Sequence, residues 1–387
     1  MKPRIAITSL ASFSALGTSP NEIWEHYLKP TTLIIEKKLG DTSALVAPIA
    51  QELEAQVTAL RDSDSKYKSL DNSVLYAILA SRQAVANAGW NDSNFGINLG
   101  SSRGATTLFE KHHKTFLETG KTPTLASPST TLGNISTWVA HDLKSQGPEI
   151  SHSITCSTAL HAVLNGVAWL RAGMADKFLV GGSEAPLTAF TIAQMNALKI
   201  YANTLSDYPC RAFDLTKIKN SMVLGEGAAV ACLEIGEKAN ALAYIEGIGY
   251  ATDILQHSIS ITDEAQCFQK SMRMALADTA LEAVDVIVMH APGTLKGDTS
   301  EYKAIETVFG ENLPMLTTNK WKIGHTFGAS GMLSIEMGIL MMQHNTFIGV
   351  PCRNNANSVT NPNKIIRKVL VNAVGFGGNA VSVLLSI

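Results

Sequence analysis

Paired cysteines are the first thing missing from this chain. Its five cysteines, Cys156, Cys210, Cys232, Cys267 and Cys352, are odd in number and nowhere form a C-x-x-C pair. That argues against a disulfide framework and against a zinc site of the usual ligand spacing, and it fits a reducing, cytoplasmic setting. A dominant charge is missing too. With 31 basic and 33 acidic residues the formal charge is -2, so no strong positive field exists to meet the phosphates of a nucleic acid. No apolar run reaches about 18 residues, the length at which a membrane span is expected. The opening Met1-Lys-Pro-Arg4 and the residues after it have the outline of a short signal peptide. Thr8, Ser9, Ser12 and Ser14 interrupt its apolar run, however, so it reads as a buried strand, Ile5 to Thr8, followed by a loop. Finally, no low-complexity linker divides the chain.

What is present is a large, apolar, regularly patterned chain. Its 387 residues are 45% hydrophobic, enough for one large core or two domains. Strand, helix and strand signals alternate twice, before and after about residue 235. The first series includes a helix from Ser69 to Gly89, with Val74, Leu75, Ile78, Leu79 and Val85 as its apolar set, and strands at Phe95 to Ser101, Phe178 to Gly181 and Ala228 to Ile235. The second has strands at Ala243 to Ile248, Val284 to Met289, Val369 to Val374 and Ala380 to Leu385, with helices at Ser300 to Phe309 and Thr326 to Gln343. The rhythm predicts an α/β architecture of two tightly packed, similar halves, 1–235 and 236–387, with buried sheets layered between helices.

The chemistry centres on Ser151 to Gly173, SHSITCSTALHAVLNGVAWLRAG. Small and β-branched residues lead to Cys156. Ala159, Leu160, Val163, Leu164, Val167, Ala168 and Leu170 then recur at helical spacing, and Gly173 is a stop. Cys156 is therefore expected where a strand turns into a buried helix. The helix macrodipole and free N–H groups there favour thiolate, the nucleophilic form. An apolar-flanked cysteine also has an inert packing reading.

Three other places join it: His290 in HAPGT, Lys320 and His325 in NKWKIGHTFGASG, and the turn Gly375 to Gly378, GFGG. Both histidines fall at ends of regular elements, where open α/β folds place their sites. Singly, each has a structural explanation. A histidine satisfies a backbone carbonyl, a lysine is solvated, Glu301 complements a helix dipole, and paired glycines make a tight turn.

Together and in this order, the Cys156 stretch, GEGAA (Gly225 to Ala229), HAPGT, GHTFGASG and GFGG resemble the β-ketoacyl-acyl-carrier-protein synthases, across nearly the whole chain. The resemblance implies a thiolase-type fold and decarboxylative Claisen condensation of an acyl thioester with malonyl-carrier protein, extending a fatty-acid or polyene chain by two carbons. It makes Cys156 the acyl-accepting nucleophile. His290 and His325 become the pair that promotes malonyl decarboxylation and holds the enolate. Lys320 supports the histidines electrostatically, and Glu301 is an acid associated with that lysine. The N–H groups of Cys156 and Phe376 form an oxyanion hole within the Gly375 and Gly377 loop, Phe376 gates the acyl pocket, and Thr294 hydrogen-bonds the phosphopantetheine arm. No metal or redox cofactor is implied, since that arm belongs to the acyl carrier protein. A homodimer, or a heterodimer with a related ketosynthase, is implied as the assembly.

Several positions depart from the family pattern. Pro292 replaces a hydroxyl residue, Thr155 an alanine before the nucleophile, and Ala159 a glycine after it. Lys217-Ile-Lys-Asn-Ser221 replaces a glycine-containing basic stretch and Ser334 a glutamate (Glu336 stands two places on), and the threonine usual after GFGG is absent, so that Asn379 follows directly. They point to a specialised pathway, with an aryl-polyene-type ketosynthase as the named subgroup. They also keep open a chain-length-factor-like partner subunit, a class that typically lacks the cysteine. A thiolase acting on coenzyme A esters fits less well, because the late Cys352 lies outside the GFGG turn.

Overall fold

The computed structural model describes residues 3–132, 134–254, 262–353, 359–360 and 364–387. Ten strands make the main sheet: β1 (Ile5–Ser14), β2 (Gly96–Gly100), β3 (Glu149–His152), β4 (Lys177–Glu184), β5 (Gly227–Ile235), β6 (Ala243–Thr252), β7 (Val286–Val288), β8 (Met315–Thr317), β9 (Lys368–Gly375) and β10 (Asn379–Ser386). Their spatial order is β8-β7-β9-β10-β6-β1-β5-β4-β2-β3. The sheet is its own repeat. β1-β5-β4-β2-β3 and β6-β10-β9-β7-β8 follow the same path, each strand matched by the one five places later. In both halves the first strand pairs antiparallel with the last, the last antiparallel with the next, and the remaining pairs are parallel. The halves meet edge to edge where Ile5 to Ile7 of β1 pair with Ala243 to Ile245 of β6.

Eight helices bear on the argument: α1 (Asn72–Ala88), α2 (Thr106–Thr119), α3 (Thr158–Arg171), α4 (Ala189–Ala197), α5 (Gln266–Leu276), α6 (Leu295–Phe309), α7 (Lys320–Ile323) and α8 (Ser330–His344). α1 packs on β1, β4 and β5 from one side, and α5 packs on β6 and β10 from the other. α3 and α8 lie between the two half-sheets and touch each other and strands of both halves. A helix in that middle layer has no solvent face, so it must be apolar all round. Every residue from Ser330 to Met342 of α8 is buried, which is why its sequence shows little amphipathic alternation. The two helices pack closely because Gly331 has no side chain; a Cβ there would stand 2.7 Å from Leu160 Cγ. Among the described residues no helix is long and apolar enough to cross a bilayer.

Most elements fall where the sequence pattern puts them. The first strand does not. A loop is expected after Thr8, yet β1 runs on to Ser14 and every residue in it is buried. Pairing with β5 shifts register between Ile7 and Ser9, so Thr8 is the bulged residue. Its hydroxyl donates to Glu234 Oε1 at 2.8 Å. Serine is small enough to lie inside such a strand, and its hydroxyl misleads a pattern reading based on polarity.

Candidate active site

Cys156 lies at the turn between β3 and α3, 5% exposed. The turn is strained and then tied. Thr155 before it has φ +47°, a region L residues adopt rarely. The Ile154 N–H donates to Thr158 Oγ1 at 2.9 Å, and that hydroxyl donates to the Thr155 carbonyl at 2.6 Å. The thiol shares an apolar cluster with Ile192 and Met195 of α4 and with Phe327.

This surrounding overturns the expectation of a thiolate-favouring site. Burial pushes the Cys156 thiol up to about 12, the buried Glu184 carboxylate adds to the rise, and Lys320 opposes it. A helix start is worth about 0.3–1 kcal/mol, at most ~2. Full burial shifts a group by up to about 3–5 pKa units, and one unit is ~1.36 kcal/mol, so desolvation wins. Cys156 rests as a neutral thiol. Alkylation of Cys156 by iodoacetamide should accordingly rise about tenfold per pH unit across neutral pH and reach no plateau below pH ~10. A plateau near neutrality, measured by peptide mapping, would show a resting thiolate instead.

His290 follows β7, and His325 stands between α7 and α8. Their rings meet edge to face, centroids 5.1 Å apart at 84°. Both are buried, and among the described residues the Nδ1 of each has no hydrogen-bond partner. Burial and the nearby Lys320 charge hold both imidazoles well below their ordinary pKa. Both are therefore neutral near pH 7, each with one N–H to donate and one nitrogen to accept. Lys320, the first residue of α7, is 1% exposed. Burial lowers its ammonium to about 8, against the pull of Glu301, Cys210 and Cys156.

Glu301 on α6 is fully buried, and burial raises it to about 7. Lys320 lowers it less than its hydrogen bonds do, while Glu301 is the leading charge that holds the Lys320 ammonium up. Its oxygens accept the His290 N–H at 2.9 Å, the Ala291 N–H at 2.8 Å and Asn372 Nδ2 at 3.3 Å. Glu301 thus fixes the backbone that carries His290. Asp298, one helical turn earlier, does the same for the next residues and was not singled out from sequence. It accepts the Gly293 N–H at 3.0 Å, the Phe213 N–H at 2.8 Å and the Lys217 ammonium at 2.6 Å. Lys217 lies in the divergent 217–221 stretch and makes a buried ion pair with Asp298. Such a pair costs about 3–5 kcal/mol if one partner is removed. Glu184 was also missed. It collects Ser101 Oγ at 2.6 Å and the N–H groups of Ser102, Arg103 and Gly328, tying the loop after β2 to the one before α8. A carboxylate three residues before another on one helix face, Asp298 and Glu301, was the available signal for the first. Glu184 at the end of an apolar strand was the signal for the second.

A cavity of about 200 Å³ brings Cys156, His290, His325, Thr294, Gly375 and Phe376 to one wall system. Lys320 and Glu301 stand behind it, and Gly377 is not in the wall. Thr294 caps α6, its hydroxyl accepting the Gly297 N–H at 3.1 Å, so its own O–H is free to donate into the cavity. Gly375 is required by contact: a Cβ there would stand 1.7 Å from Thr155 Oγ1. Gly377 is required by conformation, at φ +98°. Phe376, 38% exposed, forms the outer wall. Pro292 also lines the cavity, and Ser334 lies buried with no partner for its hydroxyl among the described residues.

A duplicated α/β sheet around two buried helices, with a cysteine at the start of one and a histidine just before the other, defines a thiolase-fold condensing enzyme of the acyltransferase type. The chain belongs to the β-ketoacyl synthase family: the family's N-terminal domain matches residues 2–239 and its C-terminal domain residues 242–352. It is 30% identical to 3-oxoacyl-[acyl-carrier-protein] synthase 2 of Coxiella burnetii, over 100% of this chain and 99% of that one. It is 29% identical to the protein of the same name in Staphylococcus aureus, over 98% and 97%. Among solved structures, the ishigamide ketosynthase/chain length factor superposes with a TM-score of 0.85 at 21% identity, covering 100% and 99% of the two chains.

Proposed function

We propose that this chain lengthens a carrier-bound acyl group by two carbons. Cys156 Sγ attacks the acyl thioester carbonyl, its proton leaves with the carrier thiol, and the acyl group passes to Cys156. A malonyl thioester then enters and loses carbon dioxide. The enolate left behind attacks the Cys156 thioester carbon, the C–S bond breaks, and the released thiolate takes a proton from solvent to return the thiol. His290 and His325 each offer one neutral N–H to the thioester oxygen as it gains charge, and Lys320 keeps them from protonating. Glu301 and Asp298 hold the 290–293 backbone, and Thr294, in the cavity wall, hydrogen-bonds the phosphopantetheine arm in this reading. That arm comes with the carrier protein, and no metal or redox group enters this scheme. The observation that carries the reading is the single cavity walled by Cys156, His290, His325 and Phe376.

The five thiols are free, which suits a reducing cytoplasm. The exposed Phe109, Phe116 and Leu117 of α2, with β3 at the open end of the sheet, support pairing with a second ketosynthase-like chain. A partner-subunit role is the second reading. It is favoured by the likeness to a ketosynthase/chain length factor structure and opposed by the intact Cys156, His290, His325 and Lys320.

Incubation with a panel of saturated and polyene acyl-carrier-protein thioesters, followed by intact-protein mass spectrometry and peptide mapping, tests the two. An acyl adduct on Cys156 supports the condensing reading and names the preferred chain. A folded chain that takes no adduct from any donor supports the partner-subunit reading.

A further inference from the structure

The turn between β9 and β10 carries Phe376 into the cavity wall, and one side chain ties that turn to the nucleophile. Asn379 Oδ1 accepts the Gly375 N–H at 3.2 Å and the Ser157 hydroxyl at 2.9 Å. The Gly375 N–H can point only at an acceptor, so it fixes which end of the carboxamide is oxygen. Ser157 follows Cys156 directly, and its one proton is shared with the Ile154 carbonyl, also at 2.9 Å. The one oxygen therefore joins Ser157, beside Cys156, to Gly375, beside Phe376. A second link runs from Thr155 Oγ1 to the Phe376 carbonyl at 3.5 Å. The far end of the turn is closed by the Gly378 N–H on the Gly375 carbonyl at 3.0 Å and held by the Asp253 N–H on the Gly378 carbonyl at 2.9 Å. The turn would otherwise be loose, because Gly377 and Gly378 both have positive φ and no side chain to pack.

We propose that Asn379 is a positioning residue, clamping the 375–378 turn to the start of α3 so that the Phe376 N–H is held facing an acyl carbonyl on Cys156. The inference rests on the reading of Cys156 as an acyl acceptor. An oxyanion is stabilised only by donors already in place when its charge develops. A donor on a turn of three glycines needs an external restraint, and Asn379 supplies two bonds from one atom. The clamp acts on carbonyl chemistry alone, since displacement at an alkyl halide creates no oxyanion.

The test compares two reactions of the same thiol. Acylation by p-nitrophenyl hexanoate passes through a tetrahedral oxyanion and needs no carrier protein, whereas alkylation by iodoacetamide does not form one. In Asn379→Ala the acylation burst should fall roughly 10- to 100-fold while alkylation of Cys156 stays within about twofold of wild type. Ser157→Ala should fall less, because the Gly375 bond remains. The double variant should fall no further than Asn379→Ala, because the serine acts through the asparagine. An unchanged burst in Asn379→Ala, equal loss of both reactions, or additive single effects would overturn the clamp. A wild-type chain acylated by the ester but by no carrier thioester would overturn the proposed substrate and leave the clamp standing. One acylated by neither, with Cys156 still alkylated, would overturn both.

Discussion

Replacing Cys156 by alanine abolishes covalent acyl loading and leaves the fold intact. The first half follows from chemistry. No other thiol lines the cavity: Cys210, Cys232, Cys267 and Cys352 are all absent from its wall. Removing a covalent nucleophile removes the whole two-step route, and in enzymes of this logic such losses reach about 10⁶-fold. The second half follows from packing. Alanine deletes one sulfur from an apolar cluster with Ile192, Met195 and Phe327. It leaves the Thr155, Ser157 and Thr158 hydrogen bonds of the turn in place. The cost to stability should be about 1 kcal/mol, read as a shift in urea midpoint without a change in slope. The variant also removes a thiol held neutral by burial, so no buried charge is left without a partner. Intact-protein mass spectrometry after exposure to the preferred acyl thioester checks the outcome. Loading at the wild-type level would refute the nucleophile assignment. A collapsed midpoint would show that Cys156 is a packing residue first.

The same thiol shows where sequence reading stops. Its place at a strand-to-helix turn was legible, because β-branched residues before it and helical spacing after it are local signals. Its charge state was not. That depends on α4, whose Ile192 and Met195 lie more than 30 positions away, and on Glu184, which reaches it across the fold. The duplication was legible as a rhythm, but the strand-for-strand repeat and the β1–β6 junction are facts of pairing that no local pattern encodes. Both histidines and Lys320 were found through motif order. Asp298 and Glu184 leave only weak local signals, because the backbone N–H groups they gather come from distant loops, and Lys217 was visible in the divergent 217–221 stretch but not as the partner of Asp298. Asn379 was visible as a departure from the family pattern, yet its use of one oxygen for two elements appears only when β9, β10 and α3 come together.

His325→Ala should impair malonyl decarboxylation far more than acyl loading. The two steps ask different things of the ring. Loading develops charge on an oxygen that the backbone donors of Cys156 and Phe376 would meet, so losing one imidazole should slow it less than about tenfold. Decarboxylation develops charge on the malonyl thioester oxygen, which the two imidazoles in the cavity wall would meet. A positioned imidazole is worth about 10²–10⁴ in rate, or ~3–5 kcal/mol at 1.36 kcal/mol per tenfold. The neutral state of the ring is part of the argument. An imidazolium would have to form in a buried site beside Lys320, and burial and that charge both disfavour it. His325→Gln, which keeps one side-chain N–H, should recover part of the decarboxylation rate, whereas a purely steric filler such as His325→Leu should not. Measuring carbon dioxide release from malonyl-carrier protein beside acyl adduct formation separates the steps. Equal loss of both would mean that His325 holds up the cavity wall against Phe327, its ring neighbour at 5.3 Å, and takes no part in stabilising the enolate.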